Sequence, residues 1–304
     1  MQEFTLVSAG AGNLRCALWL PEGEARAVVQ LVHGFSESID RYDDFARFLC
    51  ANGFAVCAED LMGHGKSVSP ECPLGCLVGG WDAAVADVAA LLHQIKVRFP
   101  ALPVFLFGHS MGSFLTRTLL YTEPDAGLAG AVLCGTAWES DFILKSAETV
   151  CDLVIRKHGE QHISEKLRNL MFSAYNKQFR PVRTPFDWIC SDPAVVERYL
   201  ADPLCGFTPS VGMFRAMLDG IRRNQKPENL RKIPKELPIF FLSGALDPVG
   251  EQGKGVKNSL SAFHAAGLEN LSMRLYPGAR HEVLHEKEHE TVYRNVLDWM
   301  NLHL

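Results

Sequence analysis

A serine between two glycines carries the clearest chemical signal in the sequence. Ser110 is the centre of Gly108-His109-Ser110-Met111-Gly112, which fits the pattern G-x-S-x-G. The apolar run PVFLF precedes the motif, and the segment SFLTRTLLYTE, which predicts a helix, follows it. A sharp strand-to-helix turn strains the serine backbone, and flanking glycines remove the collisions that side chains would cause there. The pattern therefore predicts a projecting hydroxyl that becomes a nucleophile when a base removes its proton.

A base and an orienting acid follow in the order that this motif requires, serine before acid before histidine. Asp247 follows the apolar run PIFFLSG, and His281 follows the run LSMRLYP. We assign Asp247 as the orienting acid and His281 as the general base. The rivals His285 and His289 fall in or near the polar helical segment HEKEHETVYRNVLDWM, so we expect them to be solvated. Asp219, the nearest alternative acid, has no strand before it.

A second loop, at residues 33–37 (HGFSE), follows the apolar run AVVQLV. In folds built around this serine motif, that loop supplies one backbone N–H to the oxyanion hole, and the residue after the serine supplies the other. This predicts Phe35 and Met111 as donors through their main chains. Losing one such donor typically costs about 3 kcal/mol of transition-state stabilisation.

The elements that must position these residues alternate along the chain. Two β-like runs joined by AGAGN predict an antiparallel hairpin at 4–8 and 14–20. Six short apolar runs follow at 27–33, 54–60, 103–109, 129–135, 238–244 and 271–277. Helical patterns separate several of them. Continuous apolar runs suit strands that are buried on both faces, so the alternation predicts a mostly parallel sheet with helices on both faces.

One long stretch interrupts this alternation. Between about residues 138 and 226 the chain has amphipathic helical patterns, at 142–155 and 211–221, and no convincing buried strand. The stretch is too long for a connecting loop. We therefore predict a catalytic core at 1–136 and 227–304 and a helical cap, or lid, at 137–226. Its apolar faces would form a pocket for an acyl chain, and they leave open a transient contact with a membrane surface.

Composition excludes several classes of protein. Hydrophobic residues make up 47% of the 304 residues and charged residues 21%, values typical of a globular enzyme. The net charge is -5 and no basic run occurs, which argues against a nucleic-acid partner. The sequence shows no signal-peptide pattern and no apolar stretch long enough to span a membrane. Its nine scattered cysteines are typical of free thiols, so we expect a cytoplasmic protein.

Four segments together resemble a known family. They are similar to the monoacylglycerol lipase and lysophospholipase group of α/β hydrolases. Two of the segments lie in the stretch HGFSESIDRYDDFARFLCANGFAVCAEDLMGHGKS, and the other two are PVFLFGHSMG and LYPGARHEVLHE. The resemblance covers about residues 25–135 and 235–304. It implies the α/β-hydrolase fold, a Ser110–Asp247–His281 triad and the Phe35 and Met111 donors. It also implies esterase or lipase chemistry on a small acyl ester, without a cofactor or a metal.

Other functions of the same fold stay open at this point. An aminopeptidase would need acidic groups to hold the substrate amine, and Glu139, Asp141 or Glu148 in the cap could serve. Thioesterase and carbon–carbon hydrolase activities are also compatible with the residues. A non-catalytic ligand-binding protein is a further alternative, although such proteins usually lack a member of the triad.

Overall fold

An eight-stranded sheet runs through the centre of the molecule. In the computed structural model, which describes residues 1–304, the strands are β1 (Gln2–Val7), β2 (Asn13–Trp19), β3 (Ala27–Val32), β4 (Phe54–Glu59), β5 (Val104–His109), β6 (Gly130–Cys134), β7 (Ile239–Gly244) and β8 (Leu271–Tyr276). Their order is β1-β2-β4-β3-β5-β6-β7-β8. The β1–β2 and β2–β4 pairs are antiparallel, and all other pairs are parallel. This arrangement confirms the predicted fold class.

Ten α-helices accompany the sheet. They are α1 (Asp43–Ala51), α2 (Gly80–Arg98), α3 (Met111–Thr122), α4 (Asp141–His158), α5 (Glu165–Phe172), α6 (Pro193–Ala201), α7 (Val211–Asn224), α8 (Pro227–Leu230), α9 (Lys254–Ala265) and α10 (His289–Asn301). Three short 3-10 helices lie at Ile39–Tyr42, Tyr175–Gln178 and Val283–His285. No helix combines the length and apolar character that crossing a membrane requires.

The apolar runs become strands because helices cover both faces of the sheet. Every residue of β3, β4, β5, β6 and β7 is buried. One cluster of buried side chains joins the sheet to α2, α3 and α9, and another joins it to α1 and α10. Alternate residues of a strand point to opposite faces, so each central strand contributes to both clusters.

The predicted cap at 137–226, which lies between β6 and β7, contains α4, α5, α6 and α7. The last of these helices packs against α2 and α3 of the core as well as against α4. Asn224 at its end accepts a hydrogen bond from the Thr118 hydroxyl at 2.8 Å and donates one to the Phe114 carbonyl at 2.8 Å. The domain boundaries at 136 and 227 stay a prediction, and these contacts favour assigning α7 to the core.

The sheet brings the candidate residues to one edge. Ser110 directly follows β5, Asp247 follows β7 and His281 follows β8. These strands are parallel, so their carboxyl ends meet at the same edge, where open α/β sheets usually bind ligands.

Candidate active site

Ser110 occupies a strained turn between β5 and α3. Its φ is 50° and its ψ is -118°, a conformation that L-residues rarely adopt. Its N–H donates to the Cys134 carbonyl at 2.9 Å, which holds the turn against the neighbouring strand. A Cβ on Gly112 would lie 2.0 Å from the Val32 carbonyl oxygen, and one on Gly108 would lie 2.5 Å from the Gly112 carbonyl oxygen. Both glycines are therefore required by close backbone packing.

Asp247 and His281 form a hydrogen-bonded pair. The His281 Nδ1 lies 2.9 Å from an Asp247 carboxylate oxygen, and both side chains are buried. The Ser243 hydroxyl and the Val249 N–H also donate to the Asp247 carboxylate, each at 2.9 Å, and fix its orientation. Burial opposes protonation of His281, but the Asp247 carboxylate outweighs it and raises the pKa of the imidazole.

Ser110 and His281 line the same cavity. The His281 ring hydrogen-bonds to Asp247 and not to the Ser110 hydroxyl in this structure. Hydrogen bonds of this kind often tighten only when a substrate is bound. His281 packs against two rings, His109 at a centroid distance of 4.9 Å and Trp188 at 5.2 Å. The base is thus fixed by Asp247 on one side and by aromatic contacts on the others.

The two amides assigned to the oxyanion hole are free to donate. Met111 is the first residue of α3, so its N–H has no acceptor within the helix. The Phe35 N–H makes no backbone hydrogen bond. Phe35 and Ser110 both line the cavity, and Met111 directly follows Ser110.

A buried ionic network supports the loop that contains Phe35, and sequence reasoning missed it. The Glu37 carboxylate accepts the Gly34 N–H at 2.5 Å and the Tyr42 hydroxyl at 2.8 Å. Arg41 donates to Glu37 at 2.5 Å and to Glu282, the residue after His281, at 2.6 Å. The i,i+4 spacing of Glu37 and Arg41 was a visible signal, but the contact with Glu282 spans 241 positions and was not.

The electrostatics of this network agree with a charged state for all three side chains. Burial alone would raise the pKa of Glu37, but the Arg41 guanidinium holds it well below its usual range. The same guanidinium lowers the pKa of Glu282, which burial alone would likewise raise. Burial disfavours the charged form of Arg41, yet Glu282 and Glu37 raise its pKa. The network therefore ties the loop after β3 to the loop that contains the histidine.

The cavity beside Ser110 has a volume of about 490 Å³, within the range of small-molecule sites. Of its 32 lining residues, 22 are hydrophobic, which suits an acyl chain better than a polar ligand. Helices α4 and α5 supply much of the apolar lining, including Ile143, Val150, Leu167 and Met171.

The expectation that His285 is a solvated helix residue is wrong. The residue lies in the 3-10 helix Val283–His285, its side chain is 20% exposed, and its Nε2 bonds the Arg41 carbonyl at 3.0 Å. Burial, with the nearby Arg41, lowers the pKa of this imidazole. His289 begins α10 and is partly exposed. Neither histidine lines the cavity, and the rival acid Asp219 lies 3.5 Å from the guanidinium of Arg222 instead.

The chain is similar to known proteins over most of its length. A family model named Hydrolase_4, described as "Serine aminopeptidase, S33", matches residues 23–288. The monoglyceride lipase of Homo sapiens is 27% identical over 301 residues, 97% of this chain and 89% of that protein. The monoacylglycerol lipase of Mycolicibacterium smegmatis is 28% identical over 300 residues, 97% and 96% of the two chains.

Among solved structures, the chain is similar to a highly thermostable carboxyl esterase from Bacillus coagulans in complex with glycerol. The two superpose with a TM-score of 0.92 at 29% sequence identity, covering 99% of this chain and 97% of that one.

Proposed function

We propose an acyl-enzyme route through Ser110 for this chain. The chain belongs to the Hydrolase_4 family, described as serine aminopeptidase S33, and it is a carboxylic ester hydrolase. The observation that carries the proposal is the position of Ser110 and His281 on one apolar cavity, with His281 held by a buried Asp247.

In the proposed reaction, the neutral His281 donates its Nδ1–H to Asp247, which leaves Nε2 as the acceptor for the Ser110 proton. The Ser110 oxygen attacks the ester carbonyl, and the Phe35 and Met111 N–H groups stabilise the resulting oxyanion. His281 then protonates the leaving alcohol. Water, activated by the same histidine, releases the acid from the acyl-serine and restores the enzyme.

We propose a long acyl chain as the part of the substrate that the cavity holds, as in a monoacylglycerol or a lysophospholipid. The apolar lining from α4 and α5 supports this choice. Large apolar side chains on the same two helices are exposed, including Phe142 at 80% and Leu170 at 69%, and both line the cavity. They support a transient contact of the cap with the lipid that carries the substrate.

The aminopeptidase alternative receives less support from the cap. Glu148 is ion-paired with Arg222 at 2.9 Å, and Asp141 with Lys145 at 2.6 Å, so neither is free to hold an amine. Glu139 lines the cavity, but its carboxylate accepts the Ser140 N–H at 2.6 Å.

The test is hydrolysis of a p-nitrophenyl ester series from acetate to palmitate, with the Ser110→Ala protein as the blank. We expect a maximum at long chains and no activity in the variant. A maximum at acetate would contradict the acyl-chain assignment of the cavity. Cleavage of amino-acid p-nitroanilides in preference to esters would favour the aminopeptidase.

A further inference from the structure

Glu286 is a buried carboxylate that no basic side chain neutralises. The residue is 4% exposed and takes part in none of the ion pairs of the structure. Its oxygens accept hydrogen bonds from three neutral donors instead. The Arg280 N–H at 2.7 Å and the Ser191 N–H at 3.0 Å bind one oxygen, and the Ser191 hydroxyl binds the other. These donors satisfy the carboxylate in the interior, and the reaction described above does not use it.

The hydrogen bonds of Glu286 close the loop that contains the general base. Arg280 directly precedes His281, and Glu286 lies shortly after it, so the bond from the Arg280 N–H joins the two ends of the loop at 280–286. Glu286 therefore restricts the backbone on both sides of His281.

The same carboxylate fastens this loop to the cap. Ser191 ends a cap segment, residues 187–191, that precedes α6. Three backbone carbonyls of this cap segment also accept hydrogen bonds from the loop. They are those of Asp187 and Cys190, which the Arg280 guanidinium binds, and that of Ile189, which the Glu282 N–H binds at 2.7 Å. The loop and the cap segment are therefore joined from residue 187 to residue 191.

The cap segment carries a ring that packs against the base. The centroid of the Trp188 ring lies 5.2 Å from that of the His281 ring, and the centroid of the His109 ring lies 4.9 Å from it. Asp247 fixes the His281 Nδ1 through a hydrogen bond at 2.9 Å, but one hydrogen bond leaves the imidazole able to tilt about it. The flanking rings limit this tilt, so they set the direction of Nε2, the atom that would take the Ser110 proton.

We propose that Glu286 is a positioning residue for the general base His281. Its hydrogen bonds hold the cap segment, and with it Trp188, against the imidazole, so that Nε2 keeps its direction toward Ser110. The inference rests on the proposed role of His281 in the Ser110 reaction. Small displacements matter here, because misplacing a reacting group by about 1 Å can lower a rate by about 10²-fold.

A double-mutant cycle on the hydrolysis of p-nitrophenyl butyrate tests this role, with Ser110→Ala as the blank. Glu286→Ala should lower kcat/KM by about 10- to 100-fold in the wild-type protein. It should have little effect in His281→Ala, which has no base left to misplace. Glu286→Gln keeps an acceptor of the same shape and should recover most of the activity. An equal loss in both backgrounds, or no loss in either, would overturn the positioning role and leave the hydrolase mechanism intact.

Asp87→Ala is the matched control for a loss of stability. Asp87 is also a buried carboxylate that accepts a serine hydroxyl and a backbone N–H, those of Ser8 at 2.8 Å and Ala9 at 2.6 Å, and it does not line the cavity. We expect this variant to melt at a lower temperature, as Glu286→Ala does, but to keep the wild-type kcat/KM. An equal fall in kcat/KM would assign the effect of Glu286→Ala to general destabilisation and overturn the proposal.

The NMR signals of the His281 imidazole separate the positioning role from the proposed reaction. The ring current of an indole shifts the signals of protons that lie near its face. The His281 ring signals, identified by their loss in His281→Ala, should therefore move in Glu286→Ala and stay in place in Asp87→Ala. If they move although His281→Ala hydrolyses the ester at the wild-type rate, the positioning contact is supported and only the proposed reaction fails. If they do not move, the positioning role is overturned whatever the activity.

Discussion

Replacing Arg41 by Met should destabilise the protein because the guanidinium is the shared counter-ion of two buried carboxylates. Glu37 and Glu282 are 2% and 4% exposed, and Arg41 binds both at 2.5–2.6 Å. Methionine retains much of the volume of the arginine stem and removes only the charge and its hydrogen bonds. Both carboxylates would then be left in the interior without a compensating charge.

The magnitude follows from the cost of breaking a buried pair, about 3–5 kcal/mol when one partner is removed. At about 2.1 cal/mol/K per residue, the unfolding entropy of this 304-residue chain is about 0.6 kcal/mol/K. The melting temperature should therefore fall by about 5–8 °C. We also expect a lower kcat, because Glu37 holds the Gly34 N–H beside Phe35, and Glu282 follows His281.

Thermal unfolding followed by circular dichroism tests this prediction, with Arg47→Met as the matched control. Arg47 is ion-paired with Asp43 at 2.6 Å, but its side chain is 66% exposed, so its loss should change the melting temperature far less. Adding Glu37→Gln and Glu282→Gln to Arg41→Met should recover part of the loss, since no buried charge is then unpaired. Equal shifts for the two single variants, or no recovery, would refute the reasoning.

Three further predictions concern other parts of the structure. Asp247 raises the pKa of His281, and the reaction needs the neutral imidazole, so wild-type activity should fall as pH decreases through a pKa above 6.5. Asp247→Asn should move this limb of the pH–rate profile to lower pH and reduce kcat about 10⁴-fold, and an unmoved limb would contradict the pairing. Glu59 is fully buried with neither carboxylate oxygen paired, and burial raises its pKa well above the usual range. Because the folded state holds this proton more tightly than the unfolded chain, stability is lost as pH rises from the unfolded to the folded pKa. The melting temperature of Glu59→Gln relative to that of the wild type should therefore rise as pH increases above the ordinary glutamate pKa of about 4.3, and a difference that does not change with pH would contradict this. Gly112→Ala places a Cβ 2.0 Å from the Val32 carbonyl oxygen, so it should lower both melting temperature and kcat, and a variant with wild-type values would show that the turn is not tightly packed.

The sequence was sufficient for the parts of the fold that local patterns encode. Each of the six apolar runs became a strand within about a residue of its predicted bounds. Five of them are buried on both faces, which requires an uninterrupted apolar segment. The sixth, β8, was expected to be buried in the same way but is an edge strand with exposed residues. The convergence of Ser110, Asp247 and His281 followed from a rule of topology, that parallel strands end at one edge. Their roles stay a prediction until chemistry tests them.

The parts that sequence reasoning missed depend on contacts between distant segments. Arg41 reaches Glu282 across 241 positions, and no local pattern records that pairing. His285 is largely buried because the Arg41 carbonyl and the Tyr42 ring cover it, although the residues that follow it along the chain, at 286–288, are charged.

The most direct test of the account is covalent labelling with a fluorophosphonate probe, followed by mass spectrometry of the labelled peptide. The account predicts that a single site, Ser110, is modified, and that Ser110→Ala is not labelled although it keeps the wild-type melting temperature. Slower labelling of Asp247→Asn and of His281→Ala would be expected as well, because both remove the activation of the serine. Absence of labelling in the folded wild-type protein, or labelling that persists in Ser110→Ala, would contradict the assignment of Ser110 as the nucleophile.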